Sequence, residues 1–291
     1  EKKLKSKIKS FKNILKEKRS LREYPEIDEK IISSWNSLTV SGYLDAYMAT
    51  NEKVYLNKAI NIVNAVEKKL INKDLRISRS FSIEESNILF LEDYSFLANT
   101  YLKLYQSTFN YSWVNRADQI VKKAIEIFFD EGQGFFKFSS NQSTLFSENL
   151  FVLEDGVIPS SNSVMANNLF LLSHYNGNRD YLNIGKKMIF SLIGKVVNDP
   201  LDYMNWLNVS IDYSKNFYEI VVVGKNAFQI SKDLTSRYLP NTLVAASKSD
   251  TDEYLIKNRY IKGDTLIYVC VNNSCKFPVE TVDEALKLIL N

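Results

Sequence analysis

Residues 88–130 have the sequence ILFLEDYSFLANTYLKLYQSTFNYSWVNRADQIVKKAIEIFFD, and this stretch decides the fold class. In its second half, apolar residues recur every three or four positions along one helical face. These residues are Trp113, Ala117, Ile120, Val121, Ala124 and Phe128. The first half is more apolar all round, which indicates a helix buried on several sides. Only Thr108 and Phe109 separate the halves, so we predict an antiparallel helix pair.

The same pattern recurs on both sides of this pair. The predicted helices span 2–19, 29–49, 52–71, 88–107, 110–130, 162–176, 178–197 and 200–213. The second, fourth and sixth are the more apolar ones, and a short link follows each. Long loops, 72–87 and 131–161, follow the third and fifth and lead into buried helices. Repeated hairpins of this kind predict a mainly α fold, a partial α/α toroid with its binding face at the loop-rich end.

The pattern changes after residue 216. FYEIVVV (217–223) is a strand-like run followed by a helical segment, and TLVAA (242–246) and TLIYVCV (265–271) predict further strands. A helix over 282–290 closes the chain. We therefore predict toroid hairpins over 1–214 and a small α/β subdomain over 215–291.

Charge is spread unevenly along the 291 residues. The net charge is +3, yet residues 1–22 carry ten Lys or Arg against two Glu, which leaves −5 on the remainder. The apolar positions 4, 8, 11 and 15 form one helical stripe, so we expect the lysines to be solvated and no nucleic acid to bind. Apolar runs fall far short of the ~18 residues of a membrane helix. We expect a cytoplasmic protein that has no membrane partner.

Several strings resemble a known family. They are EKRSLREYPEIDEKIISSWNSL (17–38), LEDYSFLANTYLKLYQST (91–108), EDGVIPSSNSVMANNLFLLSHYNG (154–177), YEIVVVG (218–224), YLPNTLV (238–244) and YVCVNNSCKFPVETVDEAL (268–286). In this order they resemble the C-terminal part of the YyaL-type thioredoxin-domain-containing proteins, which include spermatogenesis-associated relatives. The resemblance implies a toroid similar to six-hairpin glycosidases and sugar 2-epimerases. It also implies a fragment that lacks a thioredoxin-like domain and further hairpins. Ser37 departs from the family pattern, which favours Gly there.

Carboxylates at the predicted buried-helix starts are the candidate catalytic residues. Asp28 precedes the second helix, Asp93 begins the fourth together with Glu92, and Asp155 precedes the sixth. Glycoside hydrolysis needs two carboxyl groups ~5–9.5 Å apart. Helix capping is the alternative use of an acid at these positions. If the carboxylates share one mouth, we expect Asp93 or Asp155 to act as a general acid with a raised pKa.

Polar and aromatic residues at the same end would shape a sugar-sized pocket. The candidates are Trp35, Asn36, Tyr94, Asn162, Ser163 and Arg79, alongside Glu92. The alternative for Trp35 and Tyr94 is a place in the core. Two functions therefore stay open. One is carbohydrate binding, hydrolysis or isomerisation. The other is a non-catalytic scaffold that serves the thioredoxin-like domain and the remaining hairpins.

Histidine and cysteine contribute little to either function. His174, the only histidine, falls at a helix end opposite the long loops, where we expect a surface or capping residue. No His/Cys cluster predicts a metal site, and we expect no cofactor. Cys270 and Cys275 flank a predicted turn, so we expect them to approach each other across a hairpin as a redox candidate, with free thiols. We also expect an exposed apolar seam suited to self-association.

Overall fold

A computed structural model describes residues 1–81, 88–140, 150–271 and 274–290. Contacts divide the chain into two compact units, Glu1–Lys30 and Ile31–Asn291. The first contains helix α1 (Lys2–Ser20), as predicted, followed by a segment without helix or strand. The second contains both the helical hairpins and the α/β part, so the boundary at residue 214 stays a prediction of the sequence. Among the described residues, no helix is both long enough and apolar enough to cross a membrane.

The second unit begins with three helical hairpins and a further helix. The hairpins are α2 (Ser33–Thr50) with α3 (Lys53–Leu70), α4 (Leu91–Thr108) with α5 (Ser112–Phe128), and α6 (Ser161–Asn176) with α7 (Arg179–Asn198). A 3-10 turn, Pro200–Tyr203, leads into α8 (Met204–Ser214). The apolar face predicted for α5 is buried from Trp113 to Phe128. The helical periodicity of the sequence therefore located each of these α-helices, whereas it assigned the 3-10 turn to the eighth helix.

Packing follows the order of the hairpins. Helix α2 packs on α3 and α4, α4 on α5 and α6, and α6 on α7 and α8. Within the described ranges, α2 and α3 have no extended contact with α7 or α8, so the series stays an open arc. Helix α4 packs on three of these helices and also contacts the α/β part, which explains why its sequence is apolar on several sides.

Each tight hairpin link ends its first helix with a left-handed residue. These residues are Asn51, Phe109 and Gly177, with φ of 57°, 55° and 71°. A left-handed residue lets the chain reverse directly after the last helical turn. Phe109 is an unusual choice there, but its ring is buried and stacks on Phe228, 5.9 Å between ring centroids. That packing against the α/β part compensates for the backbone conformation.

Several helix ends differ from the sequence predictions, including that of the eighth helix, which begins at Met204 rather than at 200 because a 3-10 turn precedes it. The second helix begins at Ser33 rather than at 29 because Ile32 forms an extended bridge to Ser80. The fourth begins at Leu91 rather than at 88 because Phe90 bridges Ser139 in the same way. Helix α5 ends at Phe128, since β1 (Phe129–Asp130) pairs with β2 (Phe135–Phe136). Residues at these helix ends, which periodicity alone assigns to helices, therefore pair with the backbone of the long loops.

The α/β part is a four-stranded sheet with two helices. Its strands are β3 (Tyr218–Gly224), β4 (Thr242–Ser247), β5 (Thr265–Val271) and β6 (Ser274–Cys275), in the order β4-β3-β5-β6. Helix α9 (Ala227–Thr235) connects β3 to the parallel β4, and α10 (Val282–Leu290) closes the chain. The side chain of Gln106 on α4 donates to the Val244 carbonyl at 2.8 Å. This bond ties the edge strand to the central helix.

Helix α7 carries a second apolar face beside its buried one. Phe190 and Val197 are 70% and 71% exposed, and Ile193 lies between them at helical spacing. Leu201 and Met204, just beyond the helix, are exposed as well. We call Phe190, Ile193 and Val197 the α7 edge. It lies on the last hairpin of the arc, where the sequence analysis predicts an apolar seam.

Candidate functional site at the starts of the inner helices

Helices α2, α4 and α6 begin at one end of the second unit. Ser34 near the start of α2 contacts Asp93 near the start of α4, and further along the Ser41 and Thr100 hydroxyls lie 3.3 Å apart. The Asn168 amide of α6 donates to the Ser95 carbonyl of α4 at 2.8 Å. The three helices therefore run in the same direction. Backbone of the long loops borders their starts, as the connection lengths predict.

Arg79, Glu92 and Asp93 form a compact charged cluster at this end. The Arg79 Nη1 atom forms an ion pair with Glu92 Oε1 and lies 3.4 Å from Asp93 Oδ2. Glu92 also accepts a hydrogen bond from the Ser34 hydroxyl at 3.1 Å. The side chains of Arg79 and Glu92 are 25% and 15% exposed, whereas that of Asp93 is fully buried. Of the two carboxylates, only Glu92 meets solvent.

Asp93 caps a neighbouring helix. The N-cap residue of α2 is Ile32, whose side chain offers no acceptor to the first N–H groups of the helix. The Ser34 N–H donates instead to Asp93 Oδ1 at 2.9 Å. Arg79 is fixed alongside, because its carbonyl accepts from the Ser33 N–H at 2.9 Å and its guanidinium lies 4.8 Å from the centroid of the Phe90 ring. The cluster joins a loop to the starts of two helices.

The protonation of Asp93 is nevertheless unusual. Burial raises the pKa of Asp93 to about 7, although the Arg79 guanidinium attracts its ionised form and lowers the pKa. The neighbouring Glu92 charge raises it further. With a pKa of about 7, the buried Asp93 carboxyl is about half protonated at neutral pH.

Asp155 belongs to a different set of contacts. Its Oδ1 accepts from the Ser160 N–H at 2.8 Å, and its Oδ2 accepts from the Asn205 N–H at 2.7 Å. The N-cap of α8 is Tyr203, which provides no side-chain cap. Asp155 therefore caps α8 as Asp93 caps α2. The Tyr203 hydroxyl donates to Glu154 Oε1 at 2.8 Å and lowers the pKa of that carboxyl.

Three residues predicted to line a pocket, Tyr94, Asn162 and Ser163, are buried and hydrogen-bonded to other segments. The Tyr94 hydroxyl donates to the Leu75 carbonyl and accepts from the Ile77 N–H, both at 3.1 Å. Asn162 is fully buried and bonds both the N–H and the carbonyl of Phe136 at 2.9 Å. The Ser163 hydroxyl is also buried, where it accepts from Asn205 Nδ2 at 2.8 Å. Tyr94 and Asn162 thus hold loop backbone against helix starts, and Ser163 joins α6 to α8. Their part in lining a ligand pocket stays a prediction.

Trp35 and Asn36 lie on the first turn of α2. Trp35 is 59% exposed, so the alternative of a core residue is wrong. The Asn36 amide donates to the Ile32 carbonyl at 2.9 Å, which occupies its donor locally. Trp35 is thus an exposed aromatic surface on the same helix end as Ser34, which contacts both acids.

Asp28 lies in the first unit, outside any helix. Its carboxylate accepts from the Lys30 N–H at 3.2 Å and pairs with Lys30 Nζ at 3.1 Å, contacts that lower its pKa. Because α2 begins only at Ser33, Asp28 does not immediately precede that helix. Its participation in a shared acidic mouth stays a prediction.

Cys270 and Cys275 face each other across β5 and β6, as predicted. They are a directly opposed pair in the register, and their Cα atoms lie 3.9 Å apart. The expectation of free thiols is wrong, because the two sulfur atoms form a disulfide. Residues 272 and 273 of the predicted turn lie outside the described residues. A redox role for the pair stays a prediction.

The sequence analysis missed one buried ionisable contact. His174 Nδ1 lies 2.7 Å from Glu219 Oε1, and Glu219 is only 3% exposed on β3. His174 is therefore half-buried and paired, not the surface or capping residue expected. The two residues are 45 positions apart. The one available signal was a Glu in the otherwise apolar run FYEIVVV.

Comparison with solved structures defines the class of fold. The chain superposes on the GH76 α-mannanase of Bacteroides thetaiotaomicron with a TM-score of 0.54, covering 81% of this chain and 68% of that one at 15% identity. This agreement shows the fold alone: a mainly helical arc of the six-hairpin glycosidase-like α/α toroid type with a small sheet. No protein-family model matches the chain.

Sequence comparison identifies particular relatives. Human spermatogenesis-associated protein 20 is 25% identical over 93% of this chain, and its rat counterpart is 24% identical. An uncharacterised Caenorhabditis elegans protein, B0495.5, is 24% identical over 98% of the chain. The chain spans only 37% of the human protein and 41% of the nematode one. It is thus a distant homologue of part of spermatogenesis-associated protein 20, which confirms the resemblance found in the sequence strings.

Proposed function

We propose that this chain is a non-catalytic helical scaffold that other parts of a longer polypeptide pack against. The observation that carries the proposal is the use of the two candidate catalytic acids. Asp93 caps α2 and Asp155 caps α8, so each stabilises a neighbouring helix that lacks a side-chain cap of its own. A carboxylate that accepts from helix N–H groups cannot reach a substrate without breaking those bonds.

The α7 edge supports the proposal from a different part of the molecule. Its three side chains form an apolar stripe with the spacing of a helix-packing face. We propose that this edge receives a further helical hairpin of the toroid. The relatives are more than twice as long as this chain, and the family resemblance implies additional hairpins and a thioredoxin-like domain.

A matched pair of variants tests the α7 edge. Phe190→Glu should lower the stability of the longer polypeptide by about 2 kcal/mol, the scale of burying one large apolar side chain. It should leave the 291-residue chain unchanged in urea unfolding. Lys187→Glu, on the same helix, is the charge control and should have no effect in either form. Equal effects of Phe190→Glu in both forms would show that nothing covers the edge.

Carbohydrate binding is a second candidate function, and the exposed Trp35 favours it. Sugars stack on exposed aromatic rings, and Glu92 and Arg79 meet solvent at the same helix starts. The raised pKa of Asp93 would supply a proton near neutral pH if the cluster opened. We propose this surface as the place where a sugar-like ligand would bind.

Tryptophan fluorescence separates the two functions. Trp113 and Trp206 are buried, so acrylamide quenching reports mainly on Trp35. A scaffold predicts that mono- and oligosaccharides leave the quenching of Trp35 unchanged and that no sugar is hydrolysed or isomerised. Sugar binding would be established if a sugar saturably protected Trp35 from acrylamide quenching. This protection should be lost in Glu92→Gln and kept in the control Asp45→Asn. Sugar turnover abolished by Asp93→Asn in a folded protein would overturn the scaffold proposal.

A further inference from the structure

A polar cleft of about 430 Å³ lies away from the candidate site, at the junction of α6, α7 and β3. His174 and Glu219 line one side of it, and Asn178 and Arg179 at the start of α7 line another. Leu182 and Tyr254 add apolar surface. The volume falls in the range of small-molecule sites in proteins. The scaffold function makes no use of this cleft.

The His174 ring is held in a fixed orientation. Phe170 and Phe217 pack against it with ring centroids 4.6 and 4.8 Å away. When Glu219 is ionised it can only accept, and His174 Nδ1 then supplies the proton of their hydrogen bond. The other ring nitrogen, Nε2, has no partner within the described part of the chain. It is therefore the polar atom that His174 can offer to a ligand.

Arg179 supplies the cationic group of the cleft. It is the first residue of α7, and it is exposed. Its guanidinium forms no ion pair with any of the described residues, unlike Arg79 or Arg116, which each bind a carboxylate. The neighbouring Asn178 caps α7 by accepting from the N–H groups of Asp180 and Tyr181. A guanidinium free beside a fixed imidazole is an arrangement suited to a planar or tetrahedral oxyanion.

We propose that this cleft binds a small organic oxyanion, a carboxylate or a phosphate ester with an apolar body. The anionic group would accept from the Arg179 guanidinium and from an Nε2–H of His174 in its doubly protonated form, with Glu219 accepting from Nδ1–H on the other side of the ring. Leu182 and Tyr254 would contact the apolar body. Arg179, which forms no ion pair with any of the described residues, would balance one charge of the ligand.

The single histidine makes a direct test available. With one histidine in the chain, its imidazole NMR signals are identified without assignment. We expect inorganic phosphate or benzoate, added at constant ionic strength, to shift these signals saturably. Arg179→Gln should weaken the binding at least ~10-fold, the scale of losing one charge-assisted hydrogen bond. Lys186→Gln, an exposed charge further along α7, is the matched control and should bind as the parent does.

The outcomes are distinct. Saturation by phosphate alone identifies a phosphate ester as the ligand class, and saturation by benzoate alone identifies a carboxylate; either supports the site. A linear shift that sodium chloride reproduces overturns the proposal, and so does equal affinity in Arg179→Gln. Circular dichroism of each variant confirms that a loss of binding comes from a folded protein. Sugar binding at Trp35 is measured separately, so the two proposals fail independently.

Discussion

Asp93 should make the stability of this protein fall as the pH rises toward neutrality. Its carboxyl is fully buried, and its pKa is raised from 3.8 to about 7. Between these two values the folded state binds a proton that the unfolded state has released. The stabilisation is therefore complete below pH 3.8 and is lost as the pH rises through about 7. This direction is opposite to that of an ordinary salt-bridged aspartate.

The magnitude follows from the size of the shift. A rise of about three pKa units, at about 1.4 kcal/mol per unit, corresponds to about 4 kcal/mol between pH 4 and pH 8. Asp93→Asn keeps an oxygen to accept from the Ser34 N–H but removes the ionisation. We expect the variant to unfold much as the parent does at pH 4.5. At pH 8 it should be more stable than the parent by several kcal/mol.

Urea unfolding followed by circular dichroism across pH 4.5–8 measures this difference. Other groups titrate in the same range, including Asp212, whose pKa burial raises to about 6. Because they are common to both proteins, the difference between parent and variant isolates Asp93. The exposed Asp45 is paired with Lys103, and Asp45→Asn is the control that should give a flat difference. Parallel curves for Asp93→Asn and the parent would refute the assignment of the proton to Asp93.

Three further predictions concern stability elsewhere in the fold. Asp155→Ala leaves N–H groups at the starts of α6 and α8 without acceptors. We therefore expect the free energy of unfolding in urea to fall by about 2–3 kcal/mol, and Asp155→Asn should recover part of this loss. Gly177→Ala places a Cβ 2.7 Å from the Tyr254 ring at a residue with a φ of +71°, so the melting temperature of the protein should fall by several degrees. Gly194→Ala is the control and should not lower the melting temperature, because nothing lies within 4 Å of a Cβ there. Reduction of the Cys270–Cys275 disulfide by dithiothreitol should lower the free energy of unfolding by about 2 kcal/mol, the loop entropy that so short a link removes from the unfolded chain. Urea unfolding that does not depend on dithiothreitol would contradict the presence of the disulfide.

The hairpins could be predicted because the signals that form them are local. Residues three and four apart share a helical face, so the apolar positions from Trp113 to Phe128 predict both the helix and its buried side. Short links such as Thr108-Phe109 force neighbouring helices to run antiparallel. The parallel pairing of β3 and β4 follows in the same way from a helix between two strands. The opposition of Cys270 and Cys275 across β5 and β6 was also predictable, because the short turn between the two residues places them opposite each other.

The roles of the acids could not be predicted, because they depend on partners distant in the sequence. An aspartate at a helix start suits catalysis and capping equally well, and Asp93 meets Ser34 across 59 residues. The pairing of Ile32 with Ser80 moved the start of α2 to Ser33, so Asp28 no longer adjoins the helix. Burial then set the pKa of Asp93, since desolvation depends on everything packed around a group. The sequence alone determined which elements form, and only the tertiary structure decided which charges meet and which of them lose water.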